Sequence, residues 1–566
     1  MPTINRSFFC SLVFISVYIG LAGLIIILSC VPPVSKDALI HHLAVPMLYL
    51  QNGSIYEIPF MDFSYYPMNL DLLYMIPLYW GNDIAPKFIH FSFALFTSGL
   101  IFYYLRRRIN ACYGFLGALF FLSIPIIIKL SITVYVDLGV IFFSFVSLLL
   151  ILRWAEKGFP IRLLLLSACS CGLAMGTKYN GLVVFFLLAL LVPFLYSRYN
   201  DGQKCFFLRA IAYGVVFSMI SLSVFSPWMI RNYVWKGNPI YPLYNSFFAS
   251  PNKTHTFQKT MPQEGKSGSE EDNTAKTNKG FFTYRSIIYK ESSLEIALLP
   301  VRIFFQGNDG DPQYFDGRLN PFLFILPFFA FLRNKRDLNS NIRMEKWIFL
   351  MFAVLFFLFA LFSSVLRIRY IAPIIPPLVM LSVYGMQNIV LFFQDIAKEK
   401  SIRDISSAVI LLIFLSLLTP NVLYIRDQYE YVSPFSYLTG ELTRDEYIAK
   451  YRFEHPVIIY INEKLPADAK VLTIFLGRRG YYIKRDYIFD MNILGGLINR
   501  ANRPEDIWEG LKSIGVSHTI IFFPIFEKWM ADNYSPEKQE LIGQFFSEYT
   551  QPLLFENGVG ISKLKE

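Results

Sequence analysis

Two acids and three groups of cations stand where apolar sequence gives way to polar, and their types could carry chemistry. Asp37 closes the stretch Val31-Pro-Pro-Val-Ser-Lys-Asp37, and Asp137 sits in Tyr135-Val-Asp137-Leu-Gly139 among apolar neighbours. An ionisable group at the edge of an apolar run is costly unless it is solvated, paired or used. Each acid also reads as a helix start, where aligned peptide dipoles favour negative charge; the two roles are compatible. The cations are Lys178 in Gly176-Thr-Lys178-Tyr-Asn-Gly181, Arg231 in Pro227-Trp-Met-Ile-Arg231-Asn232, and Arg367 and Arg369 in Leu366-Arg-Ile-Arg-Tyr370. A carboxylate can take a proton from a hydroxyl, while guanidinium and ammonium groups grip phosphate. Any one of these cations also reads as snorkelling to lipid headgroups. As a set they point to an anionic ligand held beside a proton acceptor.

The elements that must position these residues are membrane helices. The chain has 566 residues, 54% hydrophobic and 17% charged, with uncharged runs long enough for the roughly 20 residues that cross a hydrocarbon core. Hydropathy and flanking charge predict about eleven spans: 7–30, 88–105, 111–128, 138–152, 163–177, 179–197, 210–230, 319–332, 347–365, 370–393 and 405–420. Basic residues follow every second span. They are Arg106–Arg108; Arg153, Lys157 and Arg162; Arg198, Lys204 and Arg209; Arg333, Lys335, Arg336, Arg343 and Lys346; and Lys398, Lys400 and Arg403. By the positive-inside rule those loops and the N-terminus are cytoplasmic. The expectation is a multi-pass cell-membrane protein with 31–87, 231–318 and everything after about 421 outside. The net charge of +10 therefore belongs to loops and not to a nucleic-acid-binding face. The run after Arg6 exceeds a signal-peptide core of about 7–15 residues and reads as a retained span. All six cysteines lie in or beside spans, so no disulfide framework or zinc spacing follows.

Two external stretches, 37–50 and Tyr65 to Trp80, have amphipathic helical spacing and suit the membrane interface. Pro251–Lys279 is polar and reads as a mobile loop. Gly307–Asp311 (GNDGD) loosely resembles a calcium loop without its full ligand spacing. Residues 422–566 read as a small soluble α/β domain after a membrane module of 1–421. Its helices are expected near 455–464, 504–513 and 536–549, its strands at 470–475 and 517–523, with a hairpin through Glu556-Asn-Gly558.

Taken together, layout and motifs resemble the GT-C superfamily of membrane glycosyltransferases, in the family 39-like branch that includes protein O-mannosyltransferases and aminoarabinose transferases of lipid A. The resemblance rests on Asp37-Ala-Leu-Ile-His-His42, Tyr66-Pro67, Lys87, Tyr135-Val-Asp137, Gly176-Thr-Lys178, Pro227-Trp228, Arg231-Asn232, Gly237-Asn-Pro-Ile-Tyr-Pro242, Phe315-Asp-Gly317 and Arg369-Tyr-Ile-Ala-Pro373. It implies a mainly α transmembrane bundle acting on a polyprenyl-phosphate-linked sugar donor and a hydroxyl acceptor on a glycan, lipid or protein. Asp37 matches the catalytic acid and Asp137 a second acid that positions acceptor or base. Lys178 matches the lysine on the carrier phosphate, with Lys87, Arg231, Arg369 and Tyr66 as further partners. Many relatives carry Asp-Glu at the first motif; here Ala38 follows Asp37, which leaves acceptor and metal use open, and no metal is indicated. His42 lies close by and reads equally as an assisting or a structural residue. The competing classes are a transporter or flippase of lipid-linked sugars, an oligosaccharide ligase or polymerase, and a scaffold. Polar candidates at one end of the spans, not at the midplane, argue against the transporter.

Overall fold

The computed structural model describes residues 6–200, 206–248, 281–332, 340–361, 366–396, 400–489 and 491–566. The expected loop Pro251–Lys279 and the basic residues Lys204, Arg333, Lys335, Arg336 and Lys398 lie outside them.

Long apolar helices form the body: α1 (Arg6–Ser29), α4 (Ala85–Arg108), α5 (Ala111–Ser123), α6 (Pro125–Ser131), α7 (Asp137–Glu156), α8 (Ile161–Thr177), α9 (Gly181–Tyr199) and α10 (Phe206–Lys236), then helices Ser340–Leu361, Ile375–Ile396 and Lys400–Val432. Among the described residues seven helices are long and apolar enough to cross a membrane, and an eighth span arises if α5 and α6, bent by 66°, count as one. Pro125 opens α6 and explains the bend, since proline fits the first turn of a new helix but cannot continue the old one. Three of the eleven expected spans behave differently. α8 has 17 residues. The expected span 319–332 contains an eight-residue helix, Phe322–Phe329, roughly 12 Å long at 1.5 Å per residue and too short to cross by itself. The last helix runs to Val432, past residue 420.

The bundle has two distinct ends. At one, Arg108 reaches Glu156 at 3.0 Å and also pairs with Glu345, which accepts from Tyr104. At the other lie a short turn at Ala38–His42, α2 (Ala44–Asn52) and α3 (Asn69–Tyr79).

After Val432 the chain builds a five-stranded sheet in the order β2-β1-β3-β5-β4: β1 Lys470–Ile474, β2 Asp486–Ile488, β3 His518–Phe522, β4 Thr550–Glu556 and β5 Val559–Leu564. β1 is parallel to β2 and β3, and β5 antiparallel to β3 and β4. The parallel β1–β3 pair needs a crossover, which helices Met491–Arg500 and Pro504–Ser513 provide. Alternate residues serve opposite faces. Leu472, Ile474 and Ile521 pack under the unit's own helices, whereas Val471, Ile520 and Ile561 join a cluster with Ala44, Val45, Tyr49 and Met61. The sheet is thus fastened to the α2–α3 end. Arg444 pairs with Asp83 at 2.5 Å, and Tyr482 donates to Pro33 O at 2.8 Å.

Candidate functional site

Asp37 follows the Pro32-Pro33 break after α1 and caps a π-helical turn, Ala38–His42, closed by Leu43 N–H donating to Ala38 O at 2.9 Å. Such i→i+5 turns are rare and concentrate at functional sites. His42, at the end of the turn, lies within electrostatic reach of Asp37. Asp37 Oδ2 meets Arg369 Nη1 at 2.5 Å. Arg369 is held by its own short turn, Ile368–Tyr370, whose Ile368 N–H donates to Phe315 O at 2.9 Å and whose Tyr370 O accepts from Asn180 at 2.8 Å. Its guanidinium also lies 5.3 Å from the Tyr135 ring centre and 5.4 Å from that of Tyr370, within cation–π range.

The second acid sits beside the first pair. Asp137 opens α7, and its Oδ1 lies 2.7 Å from Lys178 Nζ. Lys178 ends α8 in extended backbone, 5.3 Å from the Tyr370 ring centre. Arg369 interacts electrostatically with both acids, so the four groups form one cluster. Exposure separates the acids: the Asp37 side chain is 22% accessible and that of Asp137 3%. Asp37 can meet a substrate; Asp137 is placed to hold Lys178. Burial pushes the Asp37 carboxyl up, but the charge of Arg369, then His41, the hydrogen bond from Arg369 and last His42 outweigh it and hold the group below the usual carboxylate range.

Arg231 and Tyr66 form an adjoining group. Arg231 lies 4.5 Å from the Trp228 ring centre and donates to Tyr66 O at 3.1 Å, while its Nη1 is buried without a partner. The Tyr66 ring lies 5.3 Å from that of Tyr179, the residue after Lys178.

Residues 81–230 match the family described as dolichyl-phosphate-mannose-protein mannosyltransferase, a stretch that includes Asp137, Lys178 and His90. Apo ArnT from Cupriavidus metallidurans aligns with TM-score 0.55 and 15% identity, over 97% of each chain. The chain shares the ArnT fold. ArnT bound to undecaprenyl phosphate, from the same organism, aligns with TM-score 0.49 and 13% identity, again over 97% of each chain. The archaeal oligosaccharyltransferase AglB from Archaeoglobus fulgidus, in complex with an inhibitory peptide and a dolichol-phosphate, gives 0.49 and 12%, covering 95% of this chain and 72% of that one. Comparison with curated proteins gives no match.

Within this fold the remaining expected residues divide. Lys87 stands apart from the acid–cation cluster. Its ammonium is buried, donates to Val31 O at 2.7 Å and has Asp83 and Arg444 as charged neighbours. It thereby ties the end of α1 to α4. His42 is inside the cluster, but its partner is Asp71: Nδ1 lies 2.7 Å from Oδ1, and both residues are buried. The GNDGD acid Asp309 shares Lys129 with Asp316, at 3.0 and 3.1 Å, and accepts from Tyr424. Among the described residues no three His, Cys, Asp or Glu side chains gather as a metal would need.

Two residues of the site escape sequence reasoning. Asp71 reads as the polar face of an amphipathic helix. His90 reads as an ordinary residue of a span, yet its Nε2 accepts from Leu138 N–H at 3.0 Å. Nδ1 must then carry the proton, and it donates to Leu130 O and Thr133 O at 2.9 and 3.0 Å. His90 thus fixes the start of α7, and with it Asp137. A histidine and an acid each buried in apolar sequence are the only hints the chain offers.

Proposed function

We propose that this protein transfers a sugar from a polyprenyl-phosphate carrier to a hydroxyl acceptor at the extracytoplasmic face, inverting the anomeric carbon. The observation that carries the reading is the Asp37–Arg369 pair set beside the Asp137–Lys178 pair. A sugar on a lipid phosphate leaves as a phosphate anion, so the reaction needs a base for the attacking hydroxyl and cations for the departing group. Arg369 and Lys178 supply the cations. When a phosphate draws on Arg369, the charge that suppresses Asp37 is shared, and the carboxylate becomes a better base. Direct attack by the acceptor hydroxyl on the anomeric carbon gives inversion. The family that matches 81–230 is named for a dolichyl-phosphate-linked sugar, which supports a donor of this class. In this reading residues 422–566 form an extracytoplasmic domain that roofs the site.

Asp37→Asn keeps shape and loses the base. Transfer should fall by about 100- to 10,000-fold, the usual contribution of general base catalysis, with carrier-lipid binding retained. Mass spectrometry of lipid-linked sugars and envelope glycans in a deletion strain complemented with each version reads this directly. Wild type should restore the missing sugar, and Asp37→Asn should leave its carrier accumulating. Equal restoration by both would remove Asp37 from the chemistry.

A further inference from the structure

The cluster leaves a question about where the acceptor's proton goes. Arg369 makes Asp37 a good anion and therefore a poor keeper of a proton. A proton taken by Asp37 needs an onward acceptor, and the π turn carries a candidate, His42, among the groups that interact with Asp37.

We propose that His42 and Asp71 act as one proton-accepting pair that relieves Asp37 of the acceptor's proton. The inference rests on the transfer reading above. In the step itself the acceptor O–H bond breaks as its oxygen bonds to the anomeric carbon. The carbon–oxygen bond to phosphate breaks, and its electrons leave on the phosphate. The proton goes to the Asp37 carboxylate, then to His42 Nε2; the Asp71 carboxylate, 2.7 Å from Nδ1, stabilises the imidazolium until the proton returns to water. His42 is the relay, and Asp71 is a positioning residue that acts through it, fixing its tautomer and orientation as a carboxylate behind a catalytic imidazole does.

Three observations converge on the pair. The i→i+5 turn sets His42 where it interacts with the Asp37 charge and reaches Asp71 with Nδ1. Asp71 is buried, with His42 Nδ1 at 2.7 Å and His41 and Lys178 as electrostatic neighbours, and a buried carboxylate is expensive unless it is paired. Finally, burial pushes the Asp71 carboxyl up to about 7 and the His42 imidazole down to about 3, so within the pair the carboxyl is the group that titrates near neutrality. That is where a proton acceptor is most effective at ordinary pH. The groups facing His42 are Asp37 and His41 from its own turn, His90 from α4, and Tyr135 and Asp137 at the start of α7. Lys178 and Arg369 complete the set. The two cations disfavour a proton on His42 and the acids favour it.

The sign follows. The pair must be free of its proton to accept one, so transfer should rise as pH increases through about 7. The test uses the full chain in membrane vesicles from the host strain, whose own radiolabelled lipid-linked sugars are the donor, alongside infrared titration of the purified protein. Wild type should show a protonated-carboxyl band that disappears near neutral pH. The band should be absent in Asp71→Asn and displaced in His42→Gln. Asp71→Asn should lose about 10-fold or more in kcat with little change in donor KM, and its acidic limb should shift; Asp71→Glu should restore part of both. If wild type transfers sugar and Asp71→Asn and His42→Gln keep its rate and pH profile, the relay is wrong while the transfer reading stands. If no titrating carboxyl belongs to Asp71, the relay is equally wrong. If wild type and Asp37→Asn alike discharge no sugar, the transfer reading fails and takes the relay with it.

Discussion

Asp137 places one oxygen on Lys178 Nζ at 2.7 Å and leaves the other buried without a partner. A buried carboxylate deprived of its cation costs about 3–5 kcal/mol, so removing the ammonium should have two separable effects. Lys178→Ala should lower the Tm of the purified protein. It should also raise donor KM about 10- to 100-fold, the equivalent of one charge-assisted hydrogen bond to phosphate of about 1.5–3 kcal/mol. Adding Asp137→Asn should recover the Tm and leave the KM defect. A double variant that also regains wild-type KM would mean that Lys178 serves Asp137 and not the carrier. These four charged residues are legible in sequence because each interrupts an apolar run. Their pairing is not, because Asp37 meets Arg369 across 332 positions and packing alone decides it. Lys87 illustrates the same limit. A lysine before a span reads as phosphate-facing, yet here its ammonium is spent on a backbone carbonyl.

At the scale of elements, the site depends on how closely α3 approaches α7 and α8. Two glycines make the approach possible. A Cβ on Gly139 would meet Leu70 at 2.6 Å, and one on Gly176 would meet the Asn69 amide at 2.3 Å. Each glycine lies two residues from a site residue, Asp137 or Lys178. Asn69 cannot simply swing away, because its Oδ1 accepts from Trp228 Nε1 at 2.8 Å. Gly176→Ala should therefore push the first turn of α3 outward and carry Asp71 with it. Overpacking of this kind costs about 1–3 kcal/mol, visible as a lower Tm, and kcat should fall more steeply than that loss of stability accounts for. A variant with wild-type kcat and Tm would mean that α3 tolerates displacement. The elements themselves are largely readable: 455–464, 504–513 and 536–549 are helices as their capping and periodicity suggest. The three-residue strand Asp486–Ile488 and the helices Met491–Arg500 and Phe523–Asn533 are not. The strand is too short to show alternation. The Phe523–Asn533 helix follows β3 directly, so its apolar start reads as a continuation of the strand.

For the whole molecule, the decisive relation is between the two ends of the bundle. Arg106–Arg108 close α4, and Arg153 lies in the last turn of α7. Arg108 gathers Glu156 and Glu345 at that same end. The acids and cations of the site, by contrast, come from the far ends: after α1, at the start of α7, after α8 and before Ile375–Ile396. Basic residues in short loops are retained on the cytoplasmic side. In the proposed orientation that rule turns the site, and the sheet fastened over it through Arg444–Asp83 and Tyr482–Pro33, toward the extracytoplasmic face. The sheet cannot be oriented independently. Arg452 donates to Val34 O and Tyr481 N–H to Leu39 O at 3.2 Å, so the chain bracketing Asp37 on both sides is bonded to the C-terminal unit. A reporter fused after Glu566 should accordingly register as extracytoplasmic, and a single cysteine introduced at the exposed Glu548 should react with a membrane-impermeant thiol reagent in intact cells. Cytoplasmic signals from both would place Asp37 on the cytosolic leaflet. A lipid-linked sugar would then have to be used on that side, and the transfer reading would lose its geometry.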